Sequence, residues 1–172
     1  MSFDVRTAWE RLASLIAALQ PDYPENLYPP ATDEARVRFA DVLGRSLPDE
    51  LDALYALHDG EGALGSFAFE TADWDGSLGA YVFLPLAGET DSVVAAWTDL
   101  RAQGRIPEHF VPFGKDAAGN ALCVDDAPSK GGVTGQIVEV FTDGTQTRLV
   151  EPTLVDYLDA MARQLEGLDA ET

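Results

Sequence analysis

The sequence predicts an α+β fold, a single domain with a largely antiparallel sheet of five to six strands and helices packed on one face. Two observations carry this. Before Gly65 apolar residues recur at helical spacing in three successive stretches, and after it short β-branched and aromatic runs separated by turn residues take over. A last helical stripe closes the chain. At 172 residues with 46% hydrophobic content the chain can bury one ordinary core but not two. One domain is therefore expected over residues 1–172, with an N-terminal helix within 1–20 and a frayed tail at 166–172.

Val5, Trp9, Leu12, Ile16 and Leu19 form the first amphipathic stripe, which Pro21 ends. The segment PDYPENLYPPA carries four prolines and reads as an extended connection. Thr32 is a fitting N-cap for DEARVRFADVLG, which turns Phe39, Val42 and Leu43 inward and stops at Gly44. The stretch LPDELDALYALHDGEG follows, on which the rest of the chain is organised. Pro48 suits a first helical turn, and Asp49, Glu50 and Asp52 crowd the end where the helix dipole favours negative charge. Leu47, Leu51, Leu54, Tyr55 and His58 make one buried stripe. The helix is expected to stop at Asp59-Gly60-Glu61-Gly62, with both carboxylates facing water.

Phe67 and Phe69 then alternate as in a half-buried strand, Asp73-Trp74-Asp75-Gly76 marks a turn, and Tyr81 to Leu84 reads as a strand buried on both faces. A helix interrupts the strands, capped by Asp91 or Ser92, with Val93, Trp97 and Leu100 on one face and Gly104 at its end. His109 to Phe113, Asn120 to Val124 and Gln136 to Phe141 are strands by composition. The last leads through Asp143-Gly144, a hairpin signal, into Thr147 to Val150. Thr153 caps a final helix whose core stripe is Leu154, Tyr157, Leu158, Met161 and Leu165.

Charge narrows the function classes. Thirty acidic residues against eleven basic ones give a formal charge of −19 and a pI near 4.1. Nucleic acid is disfavoured as a partner, because phosphate recognition needs clustered Lys and Arg, and a basic protein fits better. Cys123 is the lone cysteine, so no intramolecular disulfide or multi-cysteine metal site can form, and a reducing cytoplasm is the expected location. The N-terminus has no basic region followed by an apolar one, and no apolar run approaches the ~20 residues that span a bilayer, so neither export nor a membrane span is expected.

The residues offer no catalytic set, and no enzyme activity, metal or cofactor is expected. His58 and His109 lack partners at metal-ligand spacing, and Cys123 sits between Leu122 and Val124 as a small buried hydrophobe. Gly76-Ser77-Leu78-Gly79 lacks the spacing of a nucleophile elbow, and Phe113-Gly114-Lys115-Asp116 lacks that of a phosphate loop and reads as a turn. The acidic pairs Asp59 with Glu61, Asp73 with Asp75, and Asp125 with Asp126 read as solvated loops that would steer a basic partner.

Taken together, the Leu47-Pro48 and Leu51 helix, the Asp59-Gly60 loop, the later Phe113-Gly114 turn and the strand from Asn120 to Asp125 follow one another in a familiar order. On these motifs the chain resembles the SUKH superfamily, whose best-known branch is similar to a yeast cell-wall-assembly regulator. The resemblance implies an α+β protein-binding scaffold without catalytic residues and, as in many bacterial members, an immunity protein that neutralises a polymorphic toxin, often a nuclease. It implies a cognate toxin or other basic protein as partner, with Asp59, Glu61, Trp74, Asp75 and Asp125 as candidate contacts. The alternative it carries is a regulatory or scaffolding protein of signalling or envelope assembly.

Overall fold

A computed structural model describes residues 4–62, 69–72, 78–143 and 147–169. Four helices come first: α1 (Val5–Leu19), α2 (Tyr23–Asn26), α3 (Asp33–Leu43) and α4 (Asp49–Tyr55). Two strands, β1 (Phe69–Ala72) and β2 (Leu78–Phe83), precede α5 (Val93–Ala102). Then come β3 (Phe110–Asp116), β4 (Ala121–Asp125), β5 (Gln136–Val140), β6 (Thr147–Glu151) and α6 (Leu154–Asp169). The six strands form one antiparallel sheet in which every strand lies beside its neighbour in sequence.

Local chemistry sets the helix starts. The Asp4 carboxylate accepts from Thr7 N at 2.8 Å, Thr32 Oγ1 from Ala35 N at 3.1 Å and Ser92 Oγ from Ala95 N at 3.1 Å. At α6 the Thr153 hydroxyl accepts from Asp156 N at 3.0 Å while the Glu50 carboxylate accepts from Leu154 N at 2.7 Å, so α4 helps cap the last helix. Gly44, at φ +72°, closes α3 as expected.

The main core lies between one sheet face and α1, α4 and α6. Tyr81, Phe83, Val111, Phe113, Leu122, Val124 and Ile137 point into it, and Trp9, Leu12 and Ile16 of α1 meet Tyr157, Leu158 and Met161 of α6 across it. That helical layer on one face is the expected one. In addition, α5 covers part of the opposite face. Ala121, Cys123, Val138 and Val140, the alternate residues of β4 and β5, pack there beneath Trp97, Leu100, Ile106 and Phe110.

Several local expectations are corrected. Val42 is 39% exposed and Leu19 44%, so the inward faces of α1 and α3 are narrower than their periodicity suggests. Val82 is half-exposed between buried Tyr81 and Phe83, so β2 alternates instead of being buried on both faces. Gly114 and Lys115 lie within β3, and the turn falls at Asp116 to Asn120, where Asn120 N donates to the Asp116 carboxylate at 2.7 Å. α6 continues to Asp169, beyond the expected start of the frayed tail, and its Glu166 binds Arg11 of α1 at 2.8 Å.

Candidate functional site

Helix α4 ends at Tyr55, one turn before the sequence suggests, and Leu57 and His58 both donate to the Leu54 carbonyl, at 3.0 and 3.2 Å. Ending there lets the Asp59-Gly60-Glu61 segment enter a slot between residues 26–31 and 83–86. On one side Asp59 N donates to Pro29 O at 2.8 Å, Tyr28 N to Gly60 O at 3.1 Å and Gly62 N to Asn26 O at 2.9 Å. On the other side Glu61 N donates to Phe83 O at 2.9 Å, and Glu61 Oε1 accepts from Phe83 N at 2.9 Å. The Asp59 carboxylate accepts from Leu86 N at 2.6 Å, and the Tyr55 hydroxyl donates to Leu84 O at 2.7 Å.

The two carboxylates are therefore not left facing water. Glu61 is 2% exposed and Asp59 is half-buried, because each supplies an acceptor for a backbone N–H that would otherwise be orphaned inside the protein. Burial pushes the Glu61 carboxyl up to about 7, against the Phe83 N–H and the Tyr23 hydroxyl, which both favour its charged form. Burial likewise raises Asp59, with the Leu86 N–H opposing it. Between them Gly60 has φ +82° and lies directly against the Leu84–Pro85 backbone. The segment is a seam that joins the helical part of the chain to the sheet.

Asp125 is also internal, at 4% exposure. Its Oδ1 accepts from Ala127 N at 3.2 Å and lies 3.6 Å from His109 Nε2, and its Oδ2 accepts from Gln136 Nε2 at 2.9 Å. It thus organises the connection between β4 and β5, while neighbouring Asp126 pairs with Arg45 at 3.1 Å. Asp59 and Glu61 come together, and Asp125 stands apart from them on a different strand. Trp74 and Asp75 lie outside the described residues.

The histidines and the cysteine take structural places. His58 Nδ1 lies 3.0 Å from Tyr28 O and its ring is 5.9 Å from that of Trp9. Cys123 is fully buried and its thiol is pushed up by burial. One buried acid escapes sequence reasoning altogether. Glu139 is 4% exposed, takes the Tyr81 hydroxyl and pairs with Arg148 at 2.6 Å. The signal was available: a lone acid in the Val-Glu-Val of β5 with an arginine at the paired position of β6.

Among the described residues a groove of about 550 Å³ lies between α1 and the proline-rich segment. Ala13, Ser14 and Ala17 line one wall and Pro24, Leu27 and Pro30 the other. Among the described residues no group of three or more His, Cys, Asp or Glu side chains is placed to hold a metal ion, and no helix is long and apolar enough to cross a membrane.

No curated protein matches the sequence. A family model matches residues 30–160, from the proline that precedes α3 into the first half of α6, which takes in the seam at Asp59-Gly60-Glu61 and the whole sheet. The chain belongs to the SMI1 / KNR4 family (SUKH-1).

Proposed function

We propose that this protein is a non-catalytic binding domain of the immunity type, which neutralises a basic toxin domain in the cytoplasm by direct occlusion. The observation that carries the reading is where the charge lies. Glu61, Asp125 and Glu139 are engaged inside the fold, whereas Asp33, Glu34, Asp41 and Asp49 stand exposed on α3 and α4. Several arginines that could offset them, Arg11, Arg36, Arg45 and Arg148, are paired with acids of the same chain. The outward field is strongly negative, which favours rapid capture of a basic protein. Family membership supports a protein-binding role. In this reading Trp74 and Asp75 are contacts, and Asp59, Glu61 and Asp125 act from beneath by holding the surface loops in shape.

The test is retention of partners on the tagged protein from its source cells at low and moderate salt, identified by mass spectrometry and followed by an inhibition assay. One basic partner at equal stoichiometry whose toxic activity is blocked supports the reading. A housekeeping or envelope partner would replace it with the regulatory alternative. Substituting Asp33, Glu34 and Asp41 by Lys is expected to weaken binding at least tenfold and flatten its salt dependence. Unchanged affinity would remove the electrostatic part.

A further inference from the structure

We infer that the groove between α1 and the proline-rich segment is a docking site for an apolar stretch of a basic protein, one or two bulky side chains flanked by Lys or Arg. The inference rests on the basic partner proposed above and specifies which of its features is recognised.

The chemistry of the groove selects the apolar part. Ala13, Ser14 and Ala17 fall on one face of α1 beside its core stripe, and their small side chains let an incoming chain approach the helix closely. The facing prolines, Pro24 and Pro30, have no N–H to offer, so that wall favours hydrocarbon over a polar backbone. A volume of about 550 Å³ falls within the ~300–1,000 Å³ range of clefts that enclose a ligand.

The rim selects the basic flanks. Glu10 lines the groove, and exposed Asp22 and Glu25 bracket the Tyr23–Pro24 pair that forms part of it. Arg6, which also lines the groove, lies 3.7 Å from Glu10, so the two offset each other and the unbalanced rim charge is that of Asp22 and Glu25. His58 adds direction. Its Nδ1 faces the Tyr28 carbonyl, which only an N–H can satisfy, so Nε2 of the neutral ring is left as an acceptor in a residue that lines the groove. An incoming N–H or ammonium group suits that position.

The wall from α1 and α2 precedes the span matched by the family model, whereas Leu57 and His58 lie within it.

The test uses two synthetic peptides of equal length, one an amphipathic Leu/Lys helix and the other the same sequence with Glu for Lys, titrated into the 15N-labelled protein and followed by amide chemical shifts. The Lys peptide is expected to saturate at one per chain, with shifts centred on α1, residues 22–30 and residues 56–58, and the Glu peptide not to bind. Ala17→Trp, which fills the groove without changing charge, is expected to weaken binding at least tenfold. Glu10→Lys with Asp22→Lys and Glu25→Lys is expected to do the same and flatten the salt dependence. Ser14→Tyr is the second occluding variant should the tryptophan prevent folding. Shifts spread over the acidic surface without saturation, or unchanged affinity in the occluding variants, would overturn the inference. An A17W protein that still neutralises a captured toxin would remove the groove and leave the proposed function standing. Peptide binding at the groove alongside a partner that is not a toxin would do the reverse.

Discussion

A Cβ at residue 60 would lie 2.6 Å from the Leu84 carbonyl carbon and still closer to the Pro85 nitrogen, on a backbone already at φ +82°. Gly60→Ala therefore combines a left-handed penalty with a backbone clash and is expected to cost more than about 2 kcal/mol in urea denaturation. Gly44→Ala is the control: its φ is +72° but nothing lies within 4 Å, so only the conformational penalty of about 1 kcal/mol applies. Glu61 gives the seam a pH dependence. Its carboxyl titrates near 7 in the folded chain against an ordinary value of 4.5, so the folded state holds the proton more tightly than the unfolded one. The stability tied to that proton is present below about pH 4.5 and is lost as pH rises through 7. Glu61→Gln keeps an acceptor for Phe83 N and carries no charge, so its stability between pH 5 and 8 should be flatter, with a gain of about 2 kcal/mol at pH 8. A parallel pH profile in wild type and variant would contradict this assignment. The residue types at 59–61 mark the end of the helical region in the sequence, one turn beyond where α4 ends. Their burial is not legible there, because it is created by residues 26–31 and 83–86, which are remote along the chain.

Among the elements, the caps at Thr32, Ser92 and Thr153 and the closing Gly44 are readable because each acts within four residues of its own position. What escapes local reading is which faces meet. The run Ala-Leu-Cys-Val of β4 is apolar throughout and shows no period, since alternate residues feed two different cores. The length of β3 is hidden for a related reason: Gly114 resembles a turn residue, yet it lies within the strand beside Leu122 and Tyr81. Ser92→Ala removes the cap of the helix that covers the second core and is expected to cost about 1 kcal/mol by thermal or urea denaturation. Cys123 lies in that core, and its unmasking by thiol reagents in the variant should accelerate in step with the lost stability.

For the molecule as a whole, a net charge of −19 opposes compaction, and added salt should relieve it. The melting temperature is expected to rise between about 10 mM and 500 mM NaCl, and a flat or falling curve would show that the paired arginines already balance the field. Fold class and acidity are legible from composition and period, whereas the groove is not, since it needs α1 brought against residues 24–30 in three dimensions. The sheet is made entirely of neighbours in sequence, but the ends of the chain meet only when α6 is present to receive Arg11 through Asp159 and Glu166. During synthesis, α1 leaves the ribosome before the sheet and before its partner α6. The side of α1 destined for α6 must therefore wait, open to proteases and chaperones, until the whole intervening sheet has been made.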